Sequence, residues 1–183
     1  MNGHLDNGID ANTFRAAMRR LPAQVAVITS QHQGVRNALT ATALTSVSAE
    51  PPQLLVCVHH LARPAQLIRD AGVFGVTLLT QVHKPVAQQC ALSKLDAEAR
   101  FAVGEWFSGS ATGVPLLHGA SVNFECRLQS AAQHGTHWVF VGLVLSITGS
   151  NNAPLLYHDG AYCELGSHSG TFASEWDSAR LGF

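Results

Sequence analysis

The sequence predicts a mainly β domain: a closed or nearly closed β-barrel with short helices at its flanks. Three observations carry this prediction. Short β-prone runs recur along the chain, Gly- and Pro-containing turns separate them, and few segments repeat apolar residues at helical spacing. The 183 residues suit one domain spanning 1–183, with a core at about 12–166. The C-terminal stretch 167–183, "SHSGTFASEWDSARLGF", has no clean pattern and reads as a tail.

The elements follow in order. Asp10 is placed to cap a helix in which Phe14, Ala17, Met18 and Leu21 recur at helical spacing, and Pro22 ends it. "QVAVITS" (24–30) reads as a strand and "QHQG" as the turn after it. "ALTATALTSVS" (38–48) reads as one β-prone, hydroxyl-rich run that Pro51 and Pro52 break. "QLLVCVHH" (53–60) reads as a buried strand. Pro64 fits the first turn of a helix carrying Leu67, Ile68 and Ala71, with Gly72 just past its end. "VFGVTLL" (73–79) is a further strand, and Pro85 opens a second short helix bearing Val86, Ala87, Cys90 and Ala91.

Residues 92–118 are rich in Gly and Pro and read as loop. "ASVNFECRL" (120–128) alternates, which predicts a half-buried antiparallel strand. Val122, Phe124, Cys126 and Leu128 face one way, and Ser121, Asn123, Glu125 and Arg127 face the other. "HWVFVGLVLSIT" (137–148), "PLLYHDG" and "AYCEL" complete the strands.

Composition narrows the function classes. Hydrophobic residues make up 46% and charged residues 13%, an apolar balance that points to surface hidden in an oligomer or around a large ligand. A formal net charge of -1 and the lack of a basic run speak against nucleic acid. No apolar span long enough for a transmembrane helix is present, and "MNGHLDNGID" has neither a basic nor an apolar leader region. Cys57, Cys90, Cys126 and Cys163 form no C-x-x-C pair and read as four thiols in a reducing cytoplasm.

The chemistry concentrates in few places. Hydroxyls stand at 40, 42, 45, 46 and 48; taken alone they read as a β-prone edge strand, but hydroxyls and backbone N–H groups also bind phosphate or a heteroaromatic edge. Arg63 precedes a Pro-started helix, where it can add a cation beside an anion, and Lys84 before Pro85 repeats the pattern; each also reads as a solvated surface cation. His137 stands between Gly135-Thr136 and a long apolar run, half wet and half dry at a strand end. "HGTH" lacks a third metal ligand of obvious geometry, and no G-x-S-x-G elbow occurs, so neither a metal site nor a covalent triad is expected.

The stretch "GVRNALTATALTSVSAEPPQLLVCV" (34–58) resembles the signature segment of the flavin reductase-like, split-barrel FMN-binding family. The later pieces "LARP", "FGVTLLTQ", "GVPLLHGASVNFECRL", "GTHWVFVG" and "PLLYHDGAYCEL" match the family's in the same order. The resemblance covers about residues 12–166 and implies a Greek-key-like split β-barrel. It implies an NAD(P)H-dependent flavin reductase supplying reduced FMN or FAD to a separate flavin-dependent monooxygenase. Homodimer formation follows from the apolar composition.

Residue by residue, the resemblance assigns Thr40, Ala41 and Thr42 to the isoalloxazine ring and Ser46, Val47 and Ser48 to the ribityl and phosphate. Arg63, and more weakly Lys84, fall near the phosphate, and His137 near the nicotinamide. The chain departs from the family pattern at Thr42, where Asn is usual, and at Thr136, where Asp is usual. A non-catalytic flavin- or haem-binding barrel shares these features without needing a nicotinamide contact, as does a related reductase of another acceptor.

Overall fold

In the computed structural model, which describes residues 8–165, Asp10 opens the first element. Its carboxylate accepts from the backbone N–H groups of Asn12 (2.9 Å) and Thr13 (3.1 Å), capping helix α1, Ala11–Met18. None of its residues is buried, and Phe14 and Met18 stay exposed. The exposed ion pair Arg19–Asp159 joins the chain just past α1 to the turn at 159–160, late in the sequence.

Strands β1 (Ala23–Gln24), β2 (Ala26–His32) and β3 (Val35–Ala41) follow. Gln33 and Gly34 both have positive φ, as a tight two-residue hairpin between β2 and β3 requires. Next come β4 (Leu44–Ala49), β5 (Pro52–His59), helix α2 (Arg63–Ala71) and β6 (Val73–Leu78). Pro64 lies in the first turn of α2, and Gly72 adopts the left-handed conformation that ends it. A 3-10 turn, Gln81–His83, leads into helix α3 (Lys84–Ala91). The remaining strands are β7 (Trp106–Ser108), β8 (Pro115–Leu117), β9 (Val122–His134), β10 (His137–Gly149), β11 (Leu156–His158) and β12 (Ala161–Cys163).

Seven strands form one antiparallel sheet in the order β3-β2-β6-β9-β10-β5-β4. Its two edge strands, β3 and β4, are consecutive in sequence and joined only by Thr42 and Ala43. The chain can span the sheet's two edges with so short a joint only if the sheet curls until those edges meet. The barrel is therefore split at this joint.

Two cores flank the sheet, and β2 serves both. Ala26 and Ile28 point into the barrel with Val56, Val58, Phe74, Cys126 and Phe140, where Ala65 and Ile68 of α2 also pack. Val25 and Val27 point outward, against Val86, Ala87 and Cys90 of α3, Leu117 and Leu155. Burial on both faces explains why 25–28 is continuously apolar rather than alternating.

Three readings of the sequence need correction. The run 38–48 is not one strand but β3 and β4 on opposite sheet edges, because the chain turns at Thr42 and Ala43. The loop-rich stretch 92–118 carries a small two-stranded sheet, β7 with β8. The polar side of 121–127 is not solvated throughout. Asn123 and Glu125 are buried, because the segment 109–117 folds over them and supplies backbone N–H and C=O partners. The Glu125 carboxylate accepts from the N–H groups of Ala111 (3.0 Å) and Thr112 (2.7 Å) and from the Thr112 hydroxyl (2.8 Å). The tail 167–183 lies outside the described residues.

Candidate active site

A cleft of about 690 Å³ opens where the barrel splits. One wall is β3, from Asn37 to Ala41, continuing into Thr42 and Ala43. As an edge strand β3 pairs only with β2, which leaves alternate backbone groups along this wall without a ladder partner. Cys57 and His59 at the end of β5, Arg63 and Pro64 at the start of α2, and His137 at the start of β10 form the opposite side. The end of α3, with Cys90, Ser93 and Arg100, closes the third.

The electrostatics are one-sided. Two arginines and two histidines line the cleft, and no Asp or Glu among the described residues does. The described ion pairs are Arg19–Asp159 and Arg36–Glu98, so neither cleft arginine is neutralised by a described carboxylate. Such a lining suits a ligand that carries negative charge.

The expected site residues divide into two groups. Thr40, Ala41, Thr42, Arg63 and His137 all line the cleft. The Thr40 hydroxyl is already engaged, donating to the carbonyl of Ala87 at 2.7 Å, so it fastens β3 to α3. Thr42 remains exposed. Ser46, Val47 and Ser48 lie further along β4, outside the lining, with Ser48 Oγ accepting from the Glu50 N–H at 3.1 Å. Lys84 also lies outside it, its Nζ 5.9 Å from the ring centre of Tyr162.

His137 sits at a hairpin end. Gly135 and Thr136 turn the chain between β9 and β10, which sets His137 across from His134 on one side and His59 on the other. Thr136 Oγ1 lies 3.0 Å from His137 Nδ1. The Thr136 carbonyl lies 2.9 Å from His60 Nδ1 and accepts from the His60 N–H at 2.9 Å. The His59 ring stacks on His60 at 4.8 Å and meets His137 edge-on at 5.2 Å. Among the described residues, no group of three His, Cys, Asp or Glu is placed to hold a metal ion.

Sequence reasoning missed Arg100 and His59. Arg100 is buried, and its guanidinium donates to the carbonyls of Cys90 (2.9 Å) and Leu92 (2.6 Å), capping the end of α3 at the cleft wall. Its Nε lacks a partner among the described residues. Beside it, burial pushes the Cys90 thiol up to about 11, against the opposing pull of the Arg100 charge. Burial alone raises Cys57 on the other wall. Neither thiol is an activated nucleophile.

Residues 18–166 match the model of the flavin reductase like domain. The chain is 40% identical over 167 residues to the reductase component of an FADH(2)-dependent resorcinol hydroxylase from Rhizobium sp., covering 89% of this chain and 91% of that one. It is 36% identical over 155 residues to an NADH-dependent FMN reductase of Ancylobacter novellus, covering 84% of each. Among solved structures, the NADH:FAD oxidoreductase of Streptomyces globisporus in complex with NAD and FAD fragments superimposes with a TM-score of 0.83. That match has 26% identity and covers 92% of this chain and all of the other.

Proposed function

The chain belongs to the flavin reductase-like family, and from that premise we propose that hydride passes from NAD(P)H to flavin in the cleft at the barrel split. It is an NAD(P)H:flavin oxidoreductase that supplies reduced flavin to a separate monooxygenase. The observation that carries the siting is the cleft itself: about 690 Å³, two arginines, two histidines, and no acidic side chain among the described lining residues. That volume and donor set fit a phosphorylated heteroaromatic ring.

Bound flavin supplies the hydride acceptor and NAD(P)H the donor. The protein's part is to bind, orient and exclude water. Ala41 and Thr42 present backbone groups and one hydroxyl to the ring edge. Arg63 neutralises phosphate at the start of α2, where the helix dipole also favours an anion. His137 would hold the nicotinamide, the orientation of its own ring fixed by Thr136. No nucleophile is needed, which agrees with the raised cleft thiols.

The assembly we infer is a homodimer. Leu55, Cys57, Val139, Val141 and Leu143, on neighbouring strands β5 and β10, are half-buried yet belong to neither core. Val47 and Ile147 are exposed on the same sheet. A second copy of the chain would cover this apolar face. We place the enzyme in the cytoplasm, since all four cysteines are free thiols and no described helix is long and apolar enough to cross a membrane.

Steady-state oxidation of NADH with and without added FMN or FAD tests the reading. Turnover that depends on added flavin supports it. Tight flavin binding without NADH or NADPH oxidation would make the protein a carrier instead.

A further inference from the structure

We propose that His59 is a second positioning residue for the nicotinamide nucleotide, acting as an uncharged hydrogen-bond donor beside His137. The proposal rests on the reading that His137 faces the nicotinamide. His59 and His137 are direct cross-strand partners on β5 and β10, so their side chains leave the same face of the sheet. Both line the cleft, with ring centres 5.2 Å apart and planes at 82°.

The hydrogen-bonding partners determine which atom of His59 is available. The backbone N–H of Leu61 donates to His59 Nδ1 at 3.2 Å. A ring nitrogen that accepts carries no hydrogen, so the neutral imidazole holds its single hydrogen on Nε2. That Nε2–H has no partner among the described residues, on a side chain exposed at the cleft. The ring is also braced. Its face stacks on His60, whose Nδ1 and backbone N–H both meet the Thr136 carbonyl, and Thr136 Oγ1 contacts His137.

Through stacking on His60 and the hydrogen bonds of Thr136, the two cleft imidazoles are thus linked across the β5 and β10 ends. One braced donor next to another can fix two points on a planar group. The ligand atom it fits is an acceptor oxygen on the nicotinamide mononucleotide half of the dinucleotide, the half that reaches His137.

The test compares His59→Ala, His59→Gln and His137→Ala with the wild type, using NADH and reduced nicotinamide mononucleotide as donors. The His59 ring is exposed, so the variants should fold; thermal melting checks this. His59→Ala should raise KM for both donors roughly three- to tenfold, the cost of one neutral hydrogen bond, with a smaller change in kcat. The Kd for flavin should not move. His59→Gln, whose amide keeps a donor near the Nε2 position, should recover most of the loss.

Unchanged KM in His59→Ala while His137→Ala is impaired would overturn the proposal and leave the nicotinamide reading standing. Loss confined to NADH, or a parallel loss of flavin affinity, would also overturn it. Normal NADH kinetics in both His59→Ala and His137→Ala would remove the reading on which it rests.

Discussion

Thr136 Oγ1 lies 3.0 Å from His137 Nδ1, at the turn that carries the imidazole into the cleft. The related family motif has a carboxylate at this position, whereas this chain holds the ring with a neutral hydroxyl. Thr136→Val should leave the fold and flavin affinity intact and lower kcat/KM for NAD(P)H about three- to tenfold, the scale of one hydrogen bond. Thr136→Asp should move any pH transition that follows the charge of His137 to higher pH, because a carboxylate favours the imidazolium. A pH profile that does not respond to Asp at 136 would show that His137 does not report on the rate.

Arg63 lines the cleft at the start of α2 and pairs with no described carboxylate. Arg63→Ala should weaken FMN binding by roughly 1.5–3 kcal/mol, as expected for a charge-assisted hydrogen bond. Riboflavin, which has no phosphate, should be affected far less. Titration of both flavins by fluorescence checks this, and equal losses would remove the phosphate role.

His83 links stability to pH. Its ring is buried, contacts the Thr80 hydroxyl at 2.8 Å and the His118 carbonyl at 3.0 Å, and burial lowers its affinity for a proton. The unfolded chain therefore takes up this proton at a higher pH than the folded one. Stability is at its full value above the ordinary imidazole pKa and declines as pH falls through about 6.5. Melting temperature should be lower at pH 5.5 than at pH 7.5, and His83→Gln should flatten that slope. An unchanged slope would show that another group dominates.

Much of this fold is readable in the sequence because its signals are local. Asp10 caps a helix through its own side chain, Pro64 and Gly72 bracket another, and alternation marks β9. What the sequence hides depends on tertiary context. The same Ala-Leu-Thr pattern stands on either side of Thr42, so nothing local shows the chain crossing between sheet edges there. Asn123 and Glu125 look solvated until residues 109–117 fold over them.

The site shows the same division. Thr42, Arg63 and His137 sit at element ends, where punctuation marks them, and the cleft gathers all three. Ser46 and Ser48 share the hydroxyl pattern and lie along β4, outside the residues that line the cleft. Arg100 follows Glu98 in a polar stretch and looks like a surface cation; its burial comes from the carbonyls left open at the end of α3.

The apolar face of β5 and β10 predicts the assembly. A stable homodimer should bury on the order of 2,000 Å² or more, and light scattering at micromolar concentration should give twice the chain mass. Leu55→Arg or Val141→Glu on that face should shift the mass toward the monomer. A wild-type chain that is monomeric and fully active would contradict the assembly.

His137→Ala tests the nicotinamide site most directly, measured by NADH oxidation with added FMN alongside flavin binding and melting. Loss of a hydrogen bond together with a stacking contact predicts a kcat/KM for NADH lower by roughly ten- to thirtyfold, with flavin Kd and melting temperature nearly unchanged. A variant that reduces flavin at the wild-type rate but melts much earlier would make His137 a structural residue and contradict the proposed site.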